Sequence, residues 1–279
     1  MEIRPFDNDC GAQINGVDLQ SMSDEEVEAV ADAHAAYGVV FLRGQMLTPD
    51  RQLAAARRFG PINVNRFFTP VQGHPQVAMV LKEPSHKYNI GGGWHTDHSY
   101  DQAPALGSML FALEVPSAGG DTLFASMYKA YEALSPGLRR TLAGLSAVHS
   151  SRHVFGKGAY AKQNDERYHG SEQATQDAVH PVVIRHPRTG RPALYVNPAF
   201  TVRIDGWTED ESRPLLEYLY GVAAREDHTC RFRWEVGSVA FWDNRATWHR
   251  ALNDYPGERR LMHRVTVDGE TLAPYLTEN

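Results

Sequence analysis

From Phe59 onward the chain breaks into short runs rich in β-branched and aromatic residues: VAMVL, ALGSMLFALEV, PVVIRH, PALYVN, RFRWEV, SVAFWD and LMHRVTV. Glycine, proline and Asx turns separate them, as expected of pleated strands with tight connections. The order of these runs constrains the fold more than their number does. Only SMYKAYEALSPGLRRTLAGL and TEDESRPLLEYLYGVAAR read as helices within this region, so strands and helices do not alternate as βαβ units. The pattern predicts a mostly β protein with peripheral helices, a sandwich or jelly roll, and argues against a doubly wound parallel sheet. HPRTGRP, between two of the runs, reads as a hairpin connection.

The first sixty residues differ in character. Ser23 and Glu26 have capping-box spacing, and Val27, Val30, Ala31 and Ala35 then share one helical face until Gly38. GVVFLRG follows as a buried strand, and TPDRQLAAARRFG as a second helix with Pro49 in its first turn. Another capping box, Thr208 with Glu211, opens the last helix. No repeat or low-complexity linker divides the sequence, so residues 1–279 are expected to form a single domain with helical insertions.

Composition narrows the range of partners. A net charge of −6 argues against a general nucleic-acid or anionic-membrane binder. With only Cys10 and Cys230, a disulfide-stapled secreted domain or a Cys-rich zinc site is not expected. MEIRPFDNDCGAQ lacks a basic patch followed by an apolar run, and no window approaches the length of a membrane span. The reading is a cytoplasmic protein.

The chemistry concentrates in GGGWHTDHSY, residues 91–100. If Trp94–Ser99 is extended, His95 and Asp97 point to one face and Trp94 and Thr96 to the other. One imidazole and one carboxylate supply two ligands of a facial 2-His-1-carboxylate site, and a third must come from elsewhere. Of the 13 histidines, His249 in FWDNRATWHRALNDY is the best candidate, because a strand near the C-terminus could return beside the first. The others fit surface or satisfied core roles. Downstream, Arg260 and Arg264 in ERRLMHRVTV share a face if that run is a strand. Buried, the pair would demand anionic partners; exposed, it would be an ordinary basic strand. Thr122 in SAGGDTLFAS could donate to the same anion or simply serve a turn. On residues alone, a zinc hydrolase that activates water and a non-catalytic jelly-roll module that binds a small anion both remain open.

WHTD, GGDTLFASMYKAYEALS, VNPAFTVRI, FWDNRATWHRALNDY and ERRLMHRVTV, taken in order from about Ile14 to Val267, resemble the taurine dioxygenase and chlorophenoxyacetate dioxygenase family of iron(II)/2-oxoglutarate enzymes. The resemblance implies a double-stranded β-helix holding Fe(II) by His95, Asp97 and His249. It implies 2-oxoglutarate and O2 as cosubstrates, with the distal carboxylate of 2-oxoglutarate on Arg260 and Thr122. Arg264 would then lie between the cosubstrate and an acidic group of the substrate. The outcome is hydroxylation, with C–O or C–S cleavage where the hydroxylated carbon bears a sulfate ester, aryl ether or sulfonate. A carboxylate at Asp97 favours hydroxylation over halogenation.

For the substrate, the family's histidine, tyrosine and asparagine contacts correspond here to Asn65, Phe68 and Gly91. Phe68, Phe155 and Phe200 resemble its substrate-facing aromatics. These replacements imply an acid larger and more hydrophobic than taurine: a carboxylate, aryloxyalkanoate, sulfonate or sulfate ester. HSSRHVFGKGAYAKQNDERYHG reads as a lid. The family likeness also implies a homo-oligomer, a dimer or a tetramer.

Overall fold

The computed structural model describes residues 1–156 and 165–276. Residues 157–164, in the segment expected to be a lid, lie outside that range. The helical expectations from the N-terminal region are met by local chemistry. Ser23 Oγ accepts the amide of Glu26 while the Glu26 carboxylate accepts the amide of Ser23, so the helix Asp24–Tyr37 starts with both donors satisfied. It stops at Gly38, whose φ of 77° is left-handed. Thr48 and Pro49 open the helix Pro49–Arg57, and the Thr208–Glu211 box opens Glu209–Ala223. SMYKAYEALSPGLRRTLAGL becomes two helices, Met127–Glu132 and Pro136–Leu142, because Ser135 caps a new start and Pro136 occupies its first turn.

The strands form a mostly antiparallel structure. One nine-stranded sheet runs Glu2–Pro5, Ala12–Asn15, Val39–Leu42, Val239–Asp243, Gly107–Glu114, Arg260–Val267, His74–Lys82 and Pro70–Val71, with Ile62–Asn63 pairing to Arg260–Val267. A three-stranded sheet runs Thr229–Phe232, Thr122–Ser126, Thr247–Ala251. Leu110, Ala112, Trp242 and Met262 of the large sheet share a buried cluster with Phe124, Cys230 and Phe232 of the small one, so the two sheets pack face to face. Val183–Arg185 and Pro192–Leu194 pair antiparallel around the expected hairpin connection. PVVIRH is interrupted at Val182, separating Asp177–Pro181 from Val183–Arg185.

The turn that leads into the His249 strand is tied down by a buried ionic knot. Asp243 Oδ1 accepts the Arg245 amide at 2.9 Å and Arg245 Nε at 2.8 Å, while Oδ2 accepts Arg245 Nη2 at 2.7 Å and meets His186 Nε2 at 2.9 Å. Burial opposes the charge on Asp243, but Arg245 and His186 outweigh it and hold the carboxyl well below the usual range. Gly38 closes the other side: its carbonyl accepts both the Asp243 amide and Thr247 Oγ1, each at 2.8 Å. A side chain at Gly38 would run into that threonine hydroxyl. Both cysteines are buried and free. No described helix is long and apolar enough to cross a membrane.

His34, 2% exposed, packs 3.5 Å from Asp243, and burial pushes its pKa down from 6.5 to about 4. The unfolded chain takes up this proton near 6.5 and the folded chain only near 4, so stability is lost as pH falls through that window. His149, also pushed well down by burial, acts in the same direction. Denaturant titrations from pH 7 to 4 should show a loss to which His34 contributes on the order of 3 kcal/mol, and His34→Gln should flatten the slope.

Candidate metal centre

His95 and His249 are brought together by the backbone itself. The two residues face each other in an antiparallel bridge: the His249 amide donates to the His95 carbonyl at 2.8 Å, and the His95 amide to the His249 carbonyl at 3.2 Å. Directly opposed residues project their side chains to the same face, and the imidazole centroids are 4.0 Å apart. Asp97 Oδ1 lies 3.7 Å from His95 Nε2, and Oδ2 lies 3.9 Å from His249 Nε2. One ligand atom from each residue falls within 4.8 Å of the others.

The expectation of extended backbone through Ser99 holds only as far as Thr96. Thr96 Oγ1 donates to the Asn244 carbonyl at 2.6 Å on the far side, as alternation requires, and Trp94 packs toward Trp248 there. Residues 97–100 then turn. His98 takes a left-handed φ of 60°, and Asp101 fixes that turn by bonding His98 Nδ1 at 2.9 Å and Arg66 Nη2 at 2.6 Å.

The ligand set is prepared for a cation. His95 Nδ1 meets the Gly93 carbonyl at 2.8 Å, a contact that places the proton on Nδ1 and the lone pair on Nε2. Burial pushes the His249 imidazole well below its ordinary value, with His95 reinforcing the effect and Asp97 opposing it. Burial also opposes ionisation of Asp97, but Arg264 and the imidazoles of His249, His95 and His98 hold its carboxyl well below the usual range. Two imidazole nitrogens and one carboxylate, grouped on one side, are a donor set that suits a borderline divalent metal. Gly91 is pressed against this set: its φ is 75°, and a Cβ there would sit 3.2 Å from His95 Cε1.

The ligands open into a cavity of about 250 Å³ lined by Phe68, Gly91, Thr122, Phe155, Phe200, Arg260 and Arg264, together with Val80, Ile90, Leu110, Val154, Tyr168, Ala199 and Trp242. Arg260 and Arg264 share the buried face of their strand, as the even spacing predicted. Arg264 Nη1 donates to Asp97 Oδ2 at 3.1 Å, and its guanidinium lies 4.6 Å over the Phe68 ring. Nε and Nη2 of both arginines find no acceptor among the described residues. Buried N–H groups of that kind call for acceptors, and on a guanidinium an anion suits best.

Asn65 stands apart from the other residues expected at the substrate. It is not among the cavity-lining residues; its Oδ1 accepts the amides of Phe67 and Phe68 at 2.9 and 3.0 Å, holding the turn that delivers Phe68. Several cavity residues were not singled out in the sequence. Tyr168 follows the undescribed residues and pairs with Phe68, while Trp242, 4.5 Å from the His249 ring, was readable only as a strand residue.

Residues 2–266 match the family described as taurine catabolism dioxygenase TauD, TfdA. The chain belongs to the TauD/TfdA family. Similar members include an alpha-ketoglutarate-dependent sulfate ester dioxygenase of Pseudomonas putida, 34% identical over 97% of this chain and 90% of the relative. An alkylsulfatase of Acinetobacter baylyi is 33% identical over 97% and 86%. A taurine dioxygenase crystal structure from Burkholderia xenovorans superimposes with a TM-score of 0.83 at 35% identity, covering 98% of this chain and 92% of that one. As a TauD/TfdA member, the protein is a 2-oxoglutarate-dependent dioxygenase. The hydrolase and binding-module alternatives find no support in these relatives.

Gly91→Ala should lower affinity for Mn(II), measured by equilibrium dialysis, by about tenfold while changing the melting temperature only slightly, because the added methyl displaces the His95 ring.

Proposed function

We propose that residues 1–279 act as a single double-stranded β-helix domain that hydroxylates a small-to-medium hydrophobic organic acid using Fe(II), 2-oxoglutarate and O2. The observation that carries this reading is the His95–His249 bridge with the Asp97 carboxylate beside both Nε2 atoms, next to two buried guanidiniums whose Nε and Nη2 find no partner among the described residues. His95, Asp97 and His249 would hold the iron. When bound, the metal supplies the coupling of O2 reduction and oxidative decarboxylation of 2-oxoglutarate to oxidation of a substrate C–H bond.

The side chains provide binding, orientation and exclusion of water. Arg260 and Thr122 receive the distal carboxylate of 2-oxoglutarate; burial presses the Arg260 guanidinium below its ordinary value, so an anion there restores what desolvation removes. Arg264 is anchored through Nη1 on Asp97, leaving Nε and Nη2 for an acidic group of the substrate beside the ligands. Phe68, Phe155 and Phe200 form the apolar wall; Phe67 backs Phe155 with a parallel stack at 4.3 Å. Gly91 contributes space rather than a polar contact. The cavity carboxylate belongs to the ligand set and already faces Arg264, so among the described residues nothing acidic lines the cavity to pair with a substrate ammonium. An alkyl or aryl sulfate ester, a sulfonate or an aryloxyalkanoate suits this lining better than taurine. Hydroxylation of a carbon bearing sulfate or aryl ether oxygen gives a product that collapses to a carbonyl compound and releases the heteroatom group. On this reading the protein acts in the cytoplasm as a homo-oligomer, a dimer or a tetramer.

Succinate release under air with Fe(II), ascorbate and 2-oxoglutarate tests the reading. Medium-chain alkyl sulfates or aryloxy acids should stimulate it well above taurine, and indifference to every acid would remove the substrate assignment. His95→Ala, Asp97→Ala and His249→Ala should each abolish succinate formation with the fold retained by circular dichroism. Arg260→Ala should raise the 2-oxoglutarate KM by the equivalent of about 2–5 kcal/mol.

A further inference from the structure

Trp234 reaches both groups assigned above to the cosubstrate without lining the cavity itself. It lies just beyond the strand Thr229–Phe232 and is 5% exposed. Its indole Nε1 donates to Thr122 Oγ1 at 2.9 Å. The Arg260 guanidinium carbon lies 5.6 Å from its ring centroid. Phe232 meets the indole edge-on at 4.8 Å and 83°, which fixes the plane of the ring. Phe232 is also the strand partner of Thr122, so the two ends of this arrangement share one ladder.

The chemistry of the donor gives the contact a direction. An indole N–H can donate but never accept, so the Thr122 hydroxyl must spend a lone pair on it. Its own hydrogen is thereby turned away from Trp234, and among the described residues the hydroxyl donates to no protein group. Thr122 and Arg260 both line the cavity, so a hydroxyl hydrogen released from Trp234 is free to serve a ligand there. Without the indole N–H, the hydroxyl could rotate and spend its hydrogen elsewhere.

We propose that Trp234 is a positioning residue for 2-oxoglutarate, orienting the Thr122 hydroxyl as a donor to the distal carboxylate and seating the Arg260 guanidinium over its ring. The inference rests on the carboxylate role given to Thr122 and Arg260 in the preceding section. Calorimetric titration of Mn(II)-loaded protein with 2-oxoglutarate tests both without turnover. Trp234→Phe keeps a ring beneath Arg260 and removes the donor; its Kd should rise about threefold to tenfold, the range of one net hydrogen bond. Thr122→Val should do the same. In the Thr122→Val background, Trp234→Phe should add less than about twofold, because the hydroxyl it orients is gone. Equal losses in both backgrounds would reveal a merely structural tryptophan and overturn the inference, as would an unchanged Kd in Trp234→Phe alongside a weakened Thr122→Val. An unchanged Kd in Thr122→Val would overturn the carboxylate assignment itself, and this inference with it. If Trp234→Phe does not fold, 3-benzothienylalanine at position 234, isosteric but lacking the N–H, provides the same comparison.

Discussion

The site depends on a pair of backbone hydrogen bonds. The reciprocal bonds between His95 and His249 join residues 154 positions apart and oppose their side chains at the distance of a cross-strand pair. Everything else at the centre is built outward from that bridge. Asp97 stands where the backbone begins to turn, and that turn brings its carboxylate oxygens to 3.7 Å from His95 Nε2 and 3.9 Å from His249 Nε2. Thr96, on the other face, is bonded to Asn244, and the Asp243–Arg245–His186 knot with Gly38 fixes the turn from which the His249 strand departs. Side-chain order at the ligands thus begins with main-chain order around them.

Electrostatics then sorts the buried charges by partner. Asp243 is neutralised within the protein, by Arg245 and His186. Asp97 is only partly matched, by one N–H of Arg264 and a long bond from the Ser108 hydroxyl, and Arg260 has two nitrogens without an acceptor among the described residues. Buried charge of the first kind specifies a turn; buried charge of the second kind specifies ligands. Two clusters of similar composition therefore serve opposite purposes. What separates them is whether their hydrogen bonds are already complete.

Much of this was legible in the sequence, for identifiable reasons. The capping boxes at Ser23 and Thr208 are local chemistry and formed as read. The common face of Arg260 and Arg264 followed from the two-residue period of a strand, whereas His95 and Asp97 converge through the turn that begins at Asp97. On residue grounds His249 ranked only moderately above the other histidines; the family resemblance strengthened that ranking, and the bridge brings it to His95. Less visible were features that depend on distant partners. Thr122–Ser126 and Thr247–Ala251 were not recognised as strands, because each is short and is defined by pairing with the other. Asn65 was assigned to the substrate by alignment of position, whereas its Oδ1 accepts the amides of Phe67 and Phe68. Trp234 carried no signal at all, since a tryptophan in a β-rich run is ordinarily core. Its relation to Thr122 exists only in three dimensions.

The bridge that unites the two histidines is made of amide and carbonyl groups that any residue but proline possesses. The imidazoles hang from this ladder without being rungs of it. A descendant that exchanged either ring for a smaller side chain would keep its paired strands, its aromatic wall and its waiting guanidiniums, and with them a receptor for organic anions in place of a catalyst. The scaffold can therefore outlive its chemistry.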